Sequence, residues 1–344
     1  MAAWYVNTGP ESDIVISTRV RLARNLKKYP FPVMMNKEMG SRVVEECKDA
    51  ILNNNSSISG QFEYFSMDDL NAVNKQALVE KHLISPLMLQ DVHSRGVFIS
   101  KDESISIMVN EEDHLRIQCI FPGLQLDRAW DLADKVDNLI EERIEYAYDE
   151  NYGYLTSCPT NVGTGMRASV MLHLPALSMS NQLNSLINAV NKLGIAVRGI
   201  YGEGTEASGN IFQISNQVTL GISEQDTLDN LLEIVGQIIA QERKARKSLH
   251  EQSKIQLEDR LLRSFGIFAN AKIMSSEECM KLLSDVRLGI VLGIIKNMTL
   301  EDVNQLMIDI QPANIMKRFG HTLSAEERDI RRAEIIKEKL NKII

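Results

Sequence analysis

Five arginines stand in positions where that side chain is unusual. Arg19 and Arg21 lie two apart in Ile16-Ser17-Thr18-Arg19-Val20-Arg21-Leu22, so on a strand both leave the same face. Arg116 closes Asn110-Glu-Glu-Asp-His-Leu-Arg116, Arg167 closes Cys158-Pro-Thr-Asn-Val-Gly-Thr-Gly-Met-Arg167, and Arg198 opens Arg198-Gly-Ile-Tyr-Gly-Glu203. A guanidinium is costly to bury unless paired, and its planar fork matches phosphate in a bidentate grip. Gathered on one sheet face, several such forks would clamp a triphosphate and offset charge on a phosphoryl group in transfer. The plain alternative is five separate surface ion pairs of little energetic weight. Three of the five sit in unusual polar loops, which counts against it.

Arg328 and Arg332 form a second group. They are four apart on a predicted helix that opens with the capping pattern Ser324-x-x-Glu327, and Asp329 lies beside Arg328. Such a patch would hold a phosphate through the arginines and a guanidinium through the acid, or it is a solvated helix face with its own ion pairs. Two glycine patterns, Gly163-x-Gly165-x-x-Ala168 and Gly202-x-Gly204-x-x-Ala207, satisfy the loose dinucleotide fingerprint. Neither follows a clean apolar strand or leads into a well-placed helix and acid, so that reading fails. The Walker pattern and the H-R-D and D-F-G set are absent, which excludes P-loop enzymes and ordinary protein kinases.

The elements that must carry these groups are partly visible. Residues 13–21 alternate, with Ile14, Ile16, Thr18 and Val20 on one side and Val15, Ser17, Arg19 and Arg21 on the other. Residues 97–100 and 105–110 read as strands, 116–120 as an antiparallel return after the acidic link Glu111-Glu112-Asp113, and 195–200 and 210–220 as further strands. Helical periods run from Leu126 to Ile144, over about 180–193 with Gly194 as cap, and from the start at Ser223 and Asp226. Beyond, only helical stretches appear, near 254–262, 276–283, 300–308 and 324–340. The pattern predicts an α+β fold with a mainly antiparallel sheet flanked by helices over 1–245, followed by a helical domain over 246–344.

The 344 residues hold 38 Lys+Arg against 46 Asp+Glu, a net charge of −8, so the overall field disfavours nucleic acid and anionic membrane as partners. No apolar run approaches the ~20 residues that span a bilayer, and the N-terminus lacks the pattern of a signal peptide. The four cysteines, Cys47, Cys119, Cys158 and Cys279, show no C-x-x-C spacing, so neither a disulfide framework nor a zinc knuckle is expected. A reduced, cytoplasmic protein is the expectation.

The segments 16–24, 109–117, 158–168 and 198–207 resemble, in order, the signatures of the phosphagen (guanidino) kinases. Those enzymes carry a helical domain before the S-x-R-V-R strand; here the strand starts almost at the N-terminus and helices follow instead. That arrangement resembles the bacterial protein-arginine kinases, and Arg328-Asp329-Ile330-Arg331-Arg332-Ala333 matches their R-D-x-x-R-A phosphoarginine-binding motif. The resemblance covers nearly the whole chain.

It implies that Ser17, Thr18, Arg19, Val20 and Arg21, with Arg116, Arg167 and Arg198, contact the phosphates of ATP. It also implies that Arg167, Ala168, Ser169, Val170 and Met171, and Arg198, Gly199, Ile200, Tyr201, Gly202 and Glu203, line the nucleotide site, with His82 as a further contact. Mg2+ would be held mainly through phosphates and water, with no protein cage. Glu112 and Glu203 take the carboxylate positions around the acceptor guanidinium, Glu112 being the favoured base, and Cys158 the reactive-cysteine position, as a polar partner of the acceptor. A guanidinium, with a pKa above about 12, needs carboxylates to fix its fork and receive the departing proton. The implied partners are protein substrates (unfolded proteins and a heat-shock repressor), a zinc-binding activator protein and a Clp-type ATPase/protease, with a homodimer through the helical domain. A kinase for free arginine or another small guanidino compound is a rival reading. A non-catalytic phosphoarginine adaptor is another, opposed by retention of both glutamates and all five arginines.

Overall fold

The structure, a computed structural model, describes residues 3–53, 59–90, 94–200 and 207–341. Its centre is β1 (Val15–Arg24), joined in one sheet by β2 (Phe62–Ser66), β3 (Gly96–Ser100), β4 (Ile105–Val109), β5 (Leu115–Pro122), β8 (Met166–His173), β9 (Ile195–Gly199) and β10 (Ile211–Asn216). The order is β2-β3-β4-β5-β1-β8-β10-β9, and every neighbouring pair is antiparallel. A small hairpin of β6 (Tyr148–Asp149) and β7 (Gly153–Tyr154) stands apart.

Helices α1 (Lys37–Leu52), α2 (Ala72–Glu80), α3 (Leu126–Glu141), α4 (Pro175–Met179), α5 (Leu183–Asn191) and α6 (Glu224–Gln252) belong to the sheet region. The chain continues through α7 (Lys254–Asn270), α8 (Ser276–Val291), α9 (Leu300–Asp309), α10 (Pro312–Phe319) and α11 (Ala325–Asn341). The helix at 254–262 is longer than its period suggested, the one expected over 180–193 forms as the shorter α5 with the separate α4 ending before it, and the strand expected over 210–220 is shorter. Side chains that compete for the backbone do the starting: Ser223 caps α6, Ser275 caps α8, and Thr299 with Asp302 completes a capping box on α9. Both halves of the box at Ser324 and Glu327 form, at 2.7 and 3.2 Å.

One sheet face is apolar. Val20, Leu22, Ile117, Cys119, Ala168, Val170 and Ile214 pack there against α1, α3 and α6. The other face carries the arginines at its centre. At one end of the sheet Ile16, Ile120, Met171 and Ile211 instead join the core of α7 to α11, so the C-terminal helices share a core with the sheet. Residue 245, the expected boundary, falls inside the unbroken α6.

The glycines at 163 and 165 act through close packing. Gly163 has φ +112 and a Cβ there would lie 2.1 Å from the Thr219 carbonyl oxygen; Gly165 has φ +62 with the Ala23 carbonyl oxygen 2.6 Å away. Beside them Arg24 is buried at the end of β1. It pairs with Asp137 at 2.7 Å, donates to the Thr164 carbonyl at 3.0 Å and stacks on the Tyr154 ring at 3.5 Å. Arg24 thereby ties β1 to the turn that launches β8. Asp137→Ala would strand this guanidinium, and unfolding in urea should show a loss of about 3–5 kcal/mol. A loss below about 1 kcal/mol would contradict that role.

Candidate active site

Strand register decides where the arginines go. Arg21 stands directly opposite Arg167 on β8 and Gln118 on β5, while Arg19 stands opposite Ser169. Arg116 pairs with Ala23, which shares the Arg19 face, and Arg198 pairs with Gln213, itself opposite Met171. All five side chains therefore leave one face of one sheet. Together they line a cleft of about 700 Å3, with His82, Ile84, Gly199 and Ile200 among its other walls.

The face is short of negative charge. Arg116 binds Glu111 at 2.5 Å and is the one of the five, among the described residues, with a carboxylate partner. Arg19 donates to Gln213 Oε1 at 2.7 Å and Arg167 to Ser215 Oγ at 3.2 Å, both neutral acceptors. The buried Nε atoms of Arg21 and Arg167 find no partner among the described residues. Burial, then the neighbouring Arg116 and Arg167, push Arg19 down to about 10. Arg21 is depressed well below the usual range by burial and then by Arg19, Arg116 and Arg167. Burial, followed by Arg198 and Arg116, lowers Arg167 too. Like charges crowded in this way would be relieved by a polyanion lying on the face.

The acidic turn after β4 divides its labour. Glu111 is buried, with Arg116 on one oxygen, the Ser85 hydroxyl on the same oxygen and the Glu112 backbone N–H on the other at 2.9 Å. Asp113, also buried, accepts from Asn25 Nδ2 and from the Ser157 N–H, each at 2.6 Å. The turn is thus fixed to the loop that bears Cys158. Glu112 is half-buried, and its carboxyl is raised above the ordinary value by burial despite Arg116. Cys158 is half-buried, with Sγ 3.0 Å from Thr160 Oγ1 and within electrostatic reach of Arg167. Glu112 and Cys158 stand outside the cleft lining, reached through Arg116 and Arg167.

Residues 42–245 match the model of the ATP:guanido phosphotransferase C-terminal catalytic domain. The protein-arginine kinase of Caldanaerobacter subterraneus subsp. tengcongensis is 55% identical over 332 residues, 96% of this chain and 98% of that protein. The chain belongs to the protein-arginine kinases, within the ATP:guanido phosphotransferase family. The helical part of this kinase, residues 254–344, matches the model of the protein-arginine kinase McsB C-terminal domain. The protein-arginine kinase of Bacillus subtilis is 50% identical over 341 residues, 99% of this chain and 94% of that protein. Among solved structures, the duplicated taurocyamine kinase of Schistosoma mansoni with transition-state-analogue components aligns at TM-score 0.62 and 28% identity, over 69% of this chain and 34% of that one. Lombricine kinase aligns at TM-score 0.61 and 23% identity over 71% of each chain, a likeness of fold.

Within the kinase, the stretches assigned to the nucleotide divide by strand alternation. Val20, Ala168 and Val170 lie in the core beneath the sheet, and Thr18 donates to the Gly123 carbonyl at 2.7 Å. Ser17, Ser169 and Met171 border a small recess behind Arg19. Tyr201, Gly202 and Glu203 lie outside the described residues. In the C-terminal motif, Arg328 is half-buried and donates to the Leu323 carbonyl at 2.7 Å; Arg332 is 1% exposed and bound to Asp329 at 2.5 Å. Ile330 is half-buried, Ala333 packs in the helical core, and Arg331 pairs with Glu334. Sequence reasoning passed over Glu111, Gln118, Gln213 and Ser215. The signal for the last three was polar residues at alternate positions of otherwise apolar strands. No helix among the described residues is long and apolar enough to cross a membrane.

Two outcomes follow from the charge pattern. Arg21→Met removes a crowded charge, so the unfolding free energy should rise by about 1–2 kcal/mol while stabilisation by ATP disappears. A less stable variant that is still protected by ATP would contradict this. His82 is held down at about 3, against a usual 6.5, by burial and then by Arg19. It takes up a proton below pH 6.5 only on unfolding, so the stability of the wild type relative to His82→Asn should fall as pH drops from 6.5 toward 3. Asparagine tolerates the positive φ of +60 at this position. A difference independent of pH would place the imidazole elsewhere.

Proposed function

We propose that this kinase transfers the γ-phosphoryl of ATP to arginine side chains of unfolded proteins and of a heat-shock repressor, marking them for a Clp-type ATPase/protease in the cytoplasm, with a zinc-binding protein as activator. The observation that carries the reading is the single face of five arginines, four of them without a carboxylate partner among the described residues. The likeness over nearly full length to protein-arginine kinases supports a protein acceptor rather than a free amino acid. The division at 245/246 into a catalytic part and a helical part, pairing of two chains through the latter, and phosphoarginine binding at Arg328 to Ala333 belong to the same proposal.

In this reading Arg19, Arg21, Arg116, Arg167 and Arg198 hold the phosphates, and His82, neutral at physiological pH, lies against the nucleotide without adding charge. Mg2+ would be held mainly through the phosphates and water and would supply neutralisation of their charge. Among the described residues no group of three or more His, Cys, Asp or Glu is placed to hold a metal ion. Glu112 and Glu203 orient the guanidinium, with Cys158 as a polar neighbour. A guanidinium nitrogen attacks the γ-phosphorus as the bond to the bridging oxygen breaks; ADP leaves with that electron pair and the N–H proton passes to Glu112. The raised affinity of Glu112 for a proton suits it to that step.

Glu112→Gln should lower phosphorylation of an unfolded protein about 10²–10⁴-fold while leaving ATP binding in place. Mass spectrometry that spares the acid-labile N–P bond should find phosphoarginine on the wild-type product. Unchanged turnover in the variant, or phosphate appearing only on free arginine, would overturn the proposal.

A further inference from the structure

The C-terminal helices reach the cleft. Ser276, Gln311 and Pro312 line it together with His82 and Ile200. None of the three belongs to the arginine-bearing segments, and none is charged. Two buried charged groups set where they stand.

Glu80, the last residue of α2, is 9% exposed. Its carboxylate accepts from the Ala313 N–H at 2.9 and 3.0 Å, from the Asn314 N–H at 2.9 Å and from Asn314 Nδ2 at 2.9 Å. It therefore caps α10 immediately after Gln311 and Pro312, satisfying N–H groups that a helix start leaves open. From the other side Arg332 donates to the Ile310 carbonyl at 2.9 Å and the Met274 carbonyl at 2.7 Å. Those residues precede Gln311 by one position and Ser276 by two. Segment 310–312 is gripped at both ends. Glu80 also precedes Lys81 and His82 directly, so one carboxylate joins two walls of the same cleft.

A buried carboxylate is expensive unless its lone pairs are filled, and Glu80, with Arg332 acting on it only from beyond salt-bridge distance, relies on those N–H groups. If the aim were only to hold α10 on α2, apolar packing would do as much at less cost. A cap fixes the helix start to a fraction of an ångström, which is what a binding wall requires. We infer that Glu80 is a positioning residue for the nucleotide: by capping α10 it fixes Gln311 and Pro312 as one wall of the cleft, so the C-terminal helices complete the ATP site. The inference rests on the cleft being the ATP site proposed above.

The test uses the full chain with Glu80→Ala, Glu80→Gln and Gln311→Ala. Calorimetry with a non-hydrolysable ATP analogue reads binding apart from chemistry, and KM and kcat are measured with an unfolded protein acceptor. Glu80→Ala should weaken analogue binding and raise the KM for ATP about tenfold with kcat changed less than about twofold. Glu80→Gln, which keeps an acceptor oxygen for Ala313, should recover most of the affinity. Gln311→Ala, with the cap intact, should weaken binding severalfold, and it carries the test if Glu80→Ala does not fold. Analogue binding within about twofold of the wild type in a cooperatively melting Glu80→Ala, or in Gln311→Ala, would overturn the inference, as would a fall in kcat alone. A wild-type chain that binds the analogue but places no phosphate on protein would end the proposed function and leave this inference standing. One that does not bind the analogue would end both.

Discussion

Like-charge crowding on a single sheet face is the constraint around which the rest of the molecule is arranged. Arg19, Arg21 and Arg167 hold their charge against burial and against each other. Repulsion of that kind weakens a fold, and it persists because β1 is locked between β5 and β8 over most of its length. Beneath, Val20, Leu22, Ala168 and Val170 are packed without exposure against the helices, the leucine and the two valines each contributing about 1.5–3 kcal/mol by burial. The stability of the apolar face thus offsets the strain of the polar one, a common exchange between stability and function.

The acidic residues are distributed by task. Glu111 and Asp113 are buried and committed, one to Arg116 and Ser85, the other to Asn25 and the loop before Cys158. Glu112, between them, is the one left with a half-buried carboxylate. A three-residue turn therefore holds the residue proposed as the base by anchoring both of its neighbours, and the Asp113 contact fixes that turn to the cysteine loop. The C-terminal helices act in the same manner at a larger scale, since Arg332 and Glu80 use buried charge to fix short pieces of backbone.

How much of this was legible in the chain depends on whether a signal is local. Alternation in residues 13–21 placed Arg19 and Arg21 on one face because period two is a property of the strand alone. Capping patterns at Ser223 and Ser324 marked two helix starts for the same reason. Asp137 was unreadable: it lies on the inward stripe of α3, where Arg24, 113 positions away, accounts for a charge. Arg332 looked like a surface partner of Arg328 at four-residue spacing, yet the carbonyls of Met274 and Ile310 draw it inside. The region of α1, β2 and α2 drew no assignment from periodicity, and with it went the role of Glu80, whose partners are more than 230 positions distant. The glycine pair at 163 and 165 resembled a cofactor loop because sequence shows where chain flexibility is needed and not which backbone presses against it.

The five arginines present a positively charged face that a chain of phosphates would relieve. Inorganic tripolyphosphate, which has no base or sugar, isolates that interaction. Added to the full chain at low salt, it should raise the thermal unfolding midpoint more than pyrophosphate does and pyrophosphate more than phosphate, with the differences shrinking as salt is added. No shift with tripolyphosphate, or equal shifts for all three anions, would contradict the convergence of the five arginines on one bound polyphosphate.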